Sequence, residues 1–287
     1  MEYEFNQIAE IRNVFVENQR THSAHQRLLN YIMSEKQSRQ GSCMCLIGDS
    51  GAGKTTFIQN FISRNPELKI LRVDVPPSCS IKAFTQEILK CLGDIGWANT
   101  RSTGVQLSMK IKYVLEKEGI DLIVFDEAQH FVETKKKSVI YDVADWLKNG
   151  LNEWKVPILL TGLDRLNSVF TENEQLERRL KGRLEFNQNQ SGDAQAREDW
   201  LHFLHVISNE LPFHGDSNLD EPKMAQALWI ASSRLRGRAI RLIERAAEIS
   251  FWNKESRLSP SSLNEAFIEL ANREEKSNGN PFLGMVQ

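Results

Sequence analysis

Short apolar runs separated by amphipathic stretches dominate the first two thirds of the chain. The runs are Cys43–Ile47, Ile70–Val75, Leu122–Phe125 and Ile158–Thr161, and we expect Arg183–Phe186 to form a fifth strand that closes the sheet. Runs of this length, bounded by glycine, proline or polar residues, are typical of buried β-strands. Helical periodicity fills the intervals around Lys54–Ile62, Ser80–Leu92, Gly104–Lys117 and Ser138–Asn152. Alternating strands and helices predict an α/β fold with a five-stranded parallel sheet covered on both faces.

The two ends of the chain have helical patterns without strands. Residues 1–40 predict an N-terminal helical segment, and residues 41–190 form the predicted α/β domain. After a polar segment the pattern is helical throughout, which predicts an all-helical domain at residues 191–275. Residues 276–287 are rich in Asn, Gly and Pro and predict a flexible tail.

The charge balance and the length of the apolar runs limit the partners that this chain can have. The charge balance is 36 Lys and Arg against 38 Asp and Glu, so the net charge of −2 does not indicate nucleic-acid binding by the surface as a whole. Any contact with DNA must come from local basic patches. No apolar run approaches the ~20 residues that span a bilayer, and the N-terminus lacks the features of a secretory signal. We therefore expect a cytoplasmic protein without a membrane partner.

A glycine-rich turn follows the first predicted strand. Residues Gly48, Asp49, Ser50, Gly51, Ala52, Gly53, Lys54 and Thr55 match the phosphate-binding pattern G-x-x-x-x-G-K-T, and Thr56, which follows directly, is a further candidate for nucleotide binding. The glycines let backbone N–H groups face phosphate oxygens, and the start of the next helix adds partial positive charge. We expect Lys54 to reach the β- and γ-phosphates of ATP and the Thr55 hydroxyl to bind Mg²⁺.

Polar residues end two further strands. Asp126 and Glu127 follow the run that ends at Phe125, so the aspartate is expected to hold Mg²⁺ and the glutamate to polarise the attacking water. Together with the glycine-rich turn, this pair predicts ATP hydrolysis. Thr161 ends a strand expected between the other two and could position the water. The alternative is a strand-end hydroxyl that caps the following helix.

Two groups of arginines are candidates for contact with the nucleotide. Arg179, with Arg178 in reserve, precedes the fifth strand and could stabilise the transferring phosphate on a neighbouring subunit. The alternative is a solvated charge cluster. In the helical domain, Arg238 or Arg241 could reach the nucleotide from the polar face of a helix, and the other arginines there are expected to form ion pairs.

Local basic residues are candidates for contact with the DNA backbone. Lys135, Lys136 and Lys137 follow the Asp-Glu strand, and Arg101 is a weaker candidate of the same kind. Phosphate contact requires positive charge and no reading of bases. A solvated run of charges is the alternative.

These motifs resemble those of the AAA+ ATPases, and within them the TniB/TnsC group of transposition regulators, relatives of the IstB and helicase-loader proteins. The similarity covers about residues 20–250 and rests on four blocks. They are Gly48–Thr56, Leu122–His130, Pro157–Gly162 and Asn173–Leu180.

The resemblance implies an AAA+ P-loop core with a C-terminal helical lid, and assembly into rings or helical filaments on double-stranded DNA. Such proteins mark a target for a transposase together with a target-selection protein, and ATP hydrolysis dismantles the assembly. The resemblance makes Thr161 the sensor-one residue, Arg179 the trans-acting finger, and Arg238 or Arg241 the sensor-two residue. Two alternatives stay open: a helicase loader, and a switch ATPase that acts on a protein partner without touching DNA.

Overall fold

The computed structural model describes residues 2–38, 41–78, 80–98, 101–133, 137–186, 194–271 and 279–285. Five strands form one sheet. They are β1 Cys43–Ile47, β2 Ile70–Asp74, β3 Leu122–Asp126, β4 Ile158–Gly162 and β5 Leu180–Glu185. Their order is β2-β3-β4-β1-β5, and every neighbouring pair is parallel. The predicted α/β class and five-stranded parallel sheet are confirmed.

Burial follows the position of each strand in the sheet. Strands β1, β3 and β4 are buried along their whole length, which explains why they are apolar up to the polar residues at the ends of β3 and β4. The edge strand β2 alternates partly exposed and buried positions, whereas β5 has one buried residue, Leu184, among exposed and partly exposed positions. β5 begins at Leu180, three residues before the predicted start, because Cys43 of β1 pairs with Leu180 before a bulge in the register.

The helices connect the strands and then continue alone. They are α1 Glu2–Glu10, α2 Gln19–Ser38, α3 Lys54–Arg64, α4 Ile81–Cys91, α5 Gly104–Glu118, α6 Lys137–Trp154, α7 Ser168–Thr171, α8 Glu174–Glu177, α9 Ala194–Glu210, α10 Pro222–Ala231, α11 Arg236–Trp252 and α12 Pro260–Leu270. Short sequence signals mark both ends of α5. Thr103 and Gln106 form a capping box at the start of α5, and Gly119 ends that helix in the left-handed conformation.

Contacts divide the chain into two compact units that differ from the predicted domain boundaries. The sheet unit contains Gln19–Asp49 and Phe57–Asn187. The helical unit contains Met1–Asn18, Ser50–Thr56 and Gln188–Gln287. The predicted N-terminal segment is thus split between them, because Ile8 and Ile11 are buried in the hydrophobic cluster of the helical unit.

Residues 279–285 are the described part of the predicted flexible tail, and they contain a buried side chain. Phe282 is fully buried and packs against Phe267 of α12, with ring centroids 6.2 Å apart. Met285 packs against the same hydrophobic cluster, and the Asn280 amide donates to Asn264 Oδ1 at 2.7 Å, so residues 279–285 lie against the helices. Within the described residues, no helix has the length and apolar character needed to cross a membrane.

Candidate functional site

The glycine-rich loop leaves the carboxyl end of β1 beside β4. The Gly48 N–H donates to the Gly162 carbonyl oxygen at 3.1 Å. Gly51 and Gly53 have φ values of +79° and +88°, a backbone conformation that would be strained in any residue with a side chain. α3 then begins at Lys54, whose side chain is buried. The loop is thus a left-handed glycine turn that opens an 11-residue helix, the geometry of a phosphate cradle.

Within the helical unit, the same loop contacts the start of α11. The Gly237 N–H donates to the Gly51 carbonyl oxygen at 2.9 Å. A Cβ atom on Gly237 would lie 2.8 Å from the Gly51 Cα atom, so the two backbones touch without side chains between them. The glycine of the Arg-Gly-Arg sequence therefore allows this helix to approach the loop.

Asp126 is the last residue of β3, and it is 1% exposed. Its Oδ1 atom accepts hydrogen bonds from the Thr161 hydroxyl and, at 3.0 Å, from the Glu127 N–H. Its Oδ2 atom pairs with Arg72 Nη2 of β2 at 3.0 Å. Both carboxylate oxygens are therefore held, as a buried charge requires.

Thr161 lies on β4, the strand between β1 and β3. The predicted position of this strand is confirmed, and it places the buried Thr161 hydroxyl against the Asp126 carboxylate. The threonine and the aspartate therefore meet at one edge of the sheet, although they are 35 residues apart in the chain.

Glu127 follows with φ of +54°, and its side chain is exposed. The Gln129 amide donates to Glu127 Oε2 at 2.5 Å and accepts from the Leu163 N–H at 3.2 Å. Glu127 is thus connected to the residues that follow β4 through one buried glutamine.

The arginines before β5 have different surroundings. Arg179 donates to the Gly41 carbonyl oxygen at 2.9 Å and to the Asn152 side chain. Arg178 is 80% exposed, and its guanidinium approaches the Glu174 carboxylate at 3.9 Å. Of the two predicted fingers, Arg179 makes contacts within its own unit and Arg178 faces solvent.

The arginines of α11 also divide into two groups. Arg238 donates to the Ser233 hydroxyl at 3.2 Å, and with Arg241 it borders a pocket of about 250 Å³ that Phe267 and Leu270 help to line. Arg245 instead pairs with Glu248 at 2.7 Å and Glu269 at 2.6 Å, so its predicted ion pairing is confirmed.

The predicted DNA-contacting residues are only partly described. Lys135 and Lys136 lie outside the described residues. Lys137 begins α6, is 86% exposed and lies 3.3 Å from the Glu172 carboxylate. Arg101 is exposed in the turn before α5. The two described cations are therefore at the surface of the sheet unit.

A family model for the bacterial TniB protein matches residues 7–185, well over half of the chain. The chain belongs to the TniB family. No curated protein matches this TniB-family chain significantly in sequence.

Solved structures show the same fold for this TniB-family chain. Cdc6p from Pyrobaculum aerophilum aligns with a TM-score of 0.66 at 13% identity, covering 94% of this chain and 74% of that one. The Aeropyrum pernix ORC1 protein in complex with DNA aligns at 0.64 and 15%, covering 91% and 69%. The Aeropyrum pernix ORC2 protein, solved in ADPNP–ADP complexes, aligns at 0.62 and 16%, covering 94% and 74%. The fold is an AAA+ core followed by C-terminal helices.

Two residues of the TniB-family site are not predicted by the motifs of the sequence. Arg72 lies within the run Ile70–Val75, and Gln129 lies within the block Leu122–His130. A charged residue inside an apolar strand, two positions before Asp74, was the available signal for Arg72. Gln129 had no such signal, because its partner Leu163 lies 34 residues away.

Proposed function

We propose that this protein binds and slowly hydrolyses ATP, and that the ATP state assembles on double-stranded DNA to mark a target for a transposase. The observation that carries the proposal is the group of side chains at the ends of β3 and β4. There a buried aspartate accepts from a threonine hydroxyl, beside an exposed glutamate, in a TniB-family chain. A purely structural sheet edge has no need for this combination.

The glycine-rich loop fits the phosphates of ATP. Positive φ at Gly51 and Gly53 is the conformation in which successive N–H groups point to one side, and the N-terminus of α3 adds partial positive charge. Residues Gly48–Thr56 would therefore hold the phosphates, with Lys54 as the paired cation. Arg238 and Arg241 are the candidates for sensing the nucleotide from the helical unit.

The available donors also fit Mg²⁺. This ion prefers oxygen ligands, and it is commonly held by one or two protein oxygens together with phosphate oxygens and water. The Thr55 hydroxyl and the Asp126 carboxylate would hold it. When bound, the ion would neutralise charge that develops on the phosphates. Glu127 would take a proton from the attacking water, and Thr161 would serve as sensor one.

A neighbouring copy would complete the site with an arginine. Arg178 is the better-placed finger, because Arg179 already binds Gly41 and Asn152 within its own unit. A mixing experiment tests this choice. Arg178→Ala keeps an intact nucleotide site, and Glu127→Gln keeps ATP binding and an intact arginine, so mixed assemblies should hydrolyse ATP faster than either variant alone. Rescue of Arg179→Ala, with no rescue of Arg178→Ala, would reverse the assignment.

Contact with DNA would come from many weak basic patches. A protomer with net charge −2 binds a polyanion poorly alone, but a ring or filament repeats each patch along the duplex. Lys135, Lys136, Lys137 and Arg101 are the candidates. The structural neighbours include the Aeropyrum pernix ORC1 protein solved in complex with DNA and Drosophila ORC solved bound to DNA.

Electron microscopy of the purified protein with duplex DNA tests the proposal. Samples with a non-hydrolysable ATP analogue, with ADP and without nucleotide should differ, with ordered rings or filaments only in the first. Lys54→Ala is the control that should abolish them. Scattered particles under all three conditions would contradict the assembly, and nucleotide-dependent assembly without DNA would favour the switch ATPase.

Alanine substitution of Lys135, Lys136 and Lys137 tests the basic patch. We expect a large loss of DNA affinity and a weaker dependence on salt, because fewer counterions are released. Unchanged ATP-dependent DNA binding would exclude this patch. Transposase and target-selection partners are then tested by adding them to the assembled protein and measuring ATP turnover and disassembly.

A further inference from the structure

Gln129 occupies a buried position between the glutamate of the acidic pair and the residues after β4. Its side chain is 2% exposed. The amide nitrogen donates to Glu127 Oε2 at 2.5 Å, and the amide oxygen accepts from the Leu163 N–H at 3.2 Å. One side chain therefore links the acidic pair to the segment that directly follows Thr161 and Gly162.

The two partners determine the orientation of this amide. A backbone N–H can only donate, and a carboxylate can only accept. Rotating the amide by 180° would place its oxygen against the carboxylate and its NH₂ group against the backbone N–H. Both hydrogen bonds would be lost in a site with little access to water, so the observed orientation is strongly preferred.

The end of β4 is shaped to admit this glutamine. A Cβ atom on Gly162 would lie 2.5 Å from Gln129 Oε1 and 3.1 Å from its backbone nitrogen. Any side chain at position 162 would therefore displace the amide. The close approach of the Gly162 backbone shows that the contact is built into the strand end and is not a chance surface contact.

The hydrogen bond leaves Glu127 suited to act on water. One carboxylate oxygen is held by a buried donor, while the glutamate side chain as a whole is exposed. Its backbone is in the left-handed region, at φ of +54°, where a non-glycine residue needs support from its surroundings. A general base needs a fixed position relative to its water, and a misplacement of 1 Å can cost about 100-fold in rate.

We propose that Gln129 is a positioning residue that orients the Glu127 carboxylate for water activation and ties that orientation to the carboxyl end of β4. This role rests on the proposed ATP hydrolysis. Movement at the end of β4, where Thr161 lies, would then reach both acids: Asp126 through the threonine hydroxyl, and Glu127 through the glutamine.

Two substitutions separate orientation from folding. Gln129→Glu keeps the shape and the acceptor for Leu163 but replaces the donor with a second carboxylate. Gln129→Met keeps the length and removes both hydrogen bonds. Gln106→Glu makes the same chemical change at an exposed amide of the α5 capping box and is the matched control.

Three measurements report the outcome: kcat and KM for ATP, the Kd of a fluorescent non-hydrolysable ATP analogue, and the melting temperature without nucleotide. We expect both Gln129 variants to lose about 10- to 100-fold in kcat while the analogue affinity stays close to wild type. The melting temperature should fall in both, because Gln129→Glu brings two carboxylates together and Gln129→Met leaves the Leu163 N–H without its acceptor. Gln106→Glu should match wild type in all three. Adding Gln129→Glu to Glu127→Gln should cause no further loss, because the glutamine acts through the glutamate.

Each contrary outcome has a distinct meaning. Wild-type kcat in both Gln129 variants overturns the positioning role alone. A further loss in the Glu127→Gln background, or a loss of analogue affinity in step with melting temperature, also overturns it, since either shows a merely structural glutamine. If Gln129→Glu fails to fold, Gln129→Met tests the proposal instead. A positioning role then requires that this variant lowers kcat without raising KM. A wild-type protein without ATP turnover overturns the proposed function, and this role with it.

Discussion

Substitution of Gly237 by alanine tests the contact between α11 and the glycine-rich loop. The new Cβ atom would lie 2.8 Å from the Gly51 Cα atom and 3.0 Å from the Gly51 carbonyl oxygen. Carbon atoms attract each other at about 3.5–4.0 Å, so the two backbones would have to separate by roughly 0.7 Å. Both nearest atoms belong to backbone, which cannot rotate away as a flexible side chain would.

The cost follows from this geometry. Forcing a methyl group into a packed contact destabilises a protein by about 1–3 kcal/mol. The 2.9 Å hydrogen bond from Gly237 to Gly51 would also lengthen or break. Since 1.4 kcal/mol corresponds to a tenfold change in an equilibrium constant, a full transfer of this cost to the loop would weaken ATP binding roughly 5- to 150-fold.

Guanidinium unfolding and titration with a fluorescent ATP analogue measure the two effects. Gly104→Ala is the control, because a Cβ atom at this first residue of α5 meets no heavy atom within 4 Å. The control should be neutral or stabilised by up to about 1 kcal/mol. If Gly237→Ala and Gly104→Ala unfold at the same denaturant concentration and bind the analogue equally, the contact has no energetic importance and the reasoning is refuted.

Three further substitutions test other buried charges and thiols. Arg12→Ala removes the ion-pair partner of the buried Glu244 and should lower the free energy of unfolding by about 1–3 kcal/mol. Urea unfolding measures this loss, and an unchanged midpoint would contradict it. Burial raises the pKa of the Cys43 thiol from 9.0 to about 12. The folded state then holds this proton more tightly than the unfolded state, so stability should fall as pH rises from 9 to 12, and Cys43→Ala should show a shallower fall in thermal melts. Arg72→Met removes one partner of Asp126 and should lower the nucleotide-free melting temperature by a few degrees, corresponding to about 1–3 kcal/mol for a pair that is only partly buried. Equal melting of this variant and wild type would show that the pair with Arg72 contributes little to the stability of the buried aspartate.

Local sequence was sufficient where a feature depends on neighbours in the chain. The apolar runs in β1, β3 and β4 predicted these strands, because each strand is buried along its length and is apolar up to the polar residues at the ends of β3 and β4. Gly51 and Gly53 were recognised because a left-handed turn before a helix requires glycine. The strand that carries Thr161 was also predicted to lie between β1 and β3, and the order of the strands in the sheet confirms this prediction.

Apolar residues in polar surroundings were harder to interpret. Ile8 and Phe282 lie near opposite ends of the chain, and both are buried in the hydrophobic cluster of the helical unit. The helical pattern around Ile8 predicts a helix but not the surface that buries it, and the residues around Phe282 were predicted to form a tail. The destination of such a residue depends on which surface can bury it, and that surface is formed by distant helices.

The sequence alone was thus sufficient to predict that polar residues end β3 and β4 and that the glycine turn is left-handed. Both features depend on backbone sterics and burial, which act over a few neighbouring positions. The partners of each side chain were decided only when the chain folded. Arg72 meets Asp126 because β2 and β3 are adjacent and in register, and Gln129 meets Leu163 because β4 ends beside it. Arg179 donates to Gly41 and Asn152, whereas Arg178 is exposed. The sequence cannot predict this difference, because the two residues are adjacent and identical. Hydrogen bonds and ion pairs act over about 3 Å in space, whatever the separation in sequence.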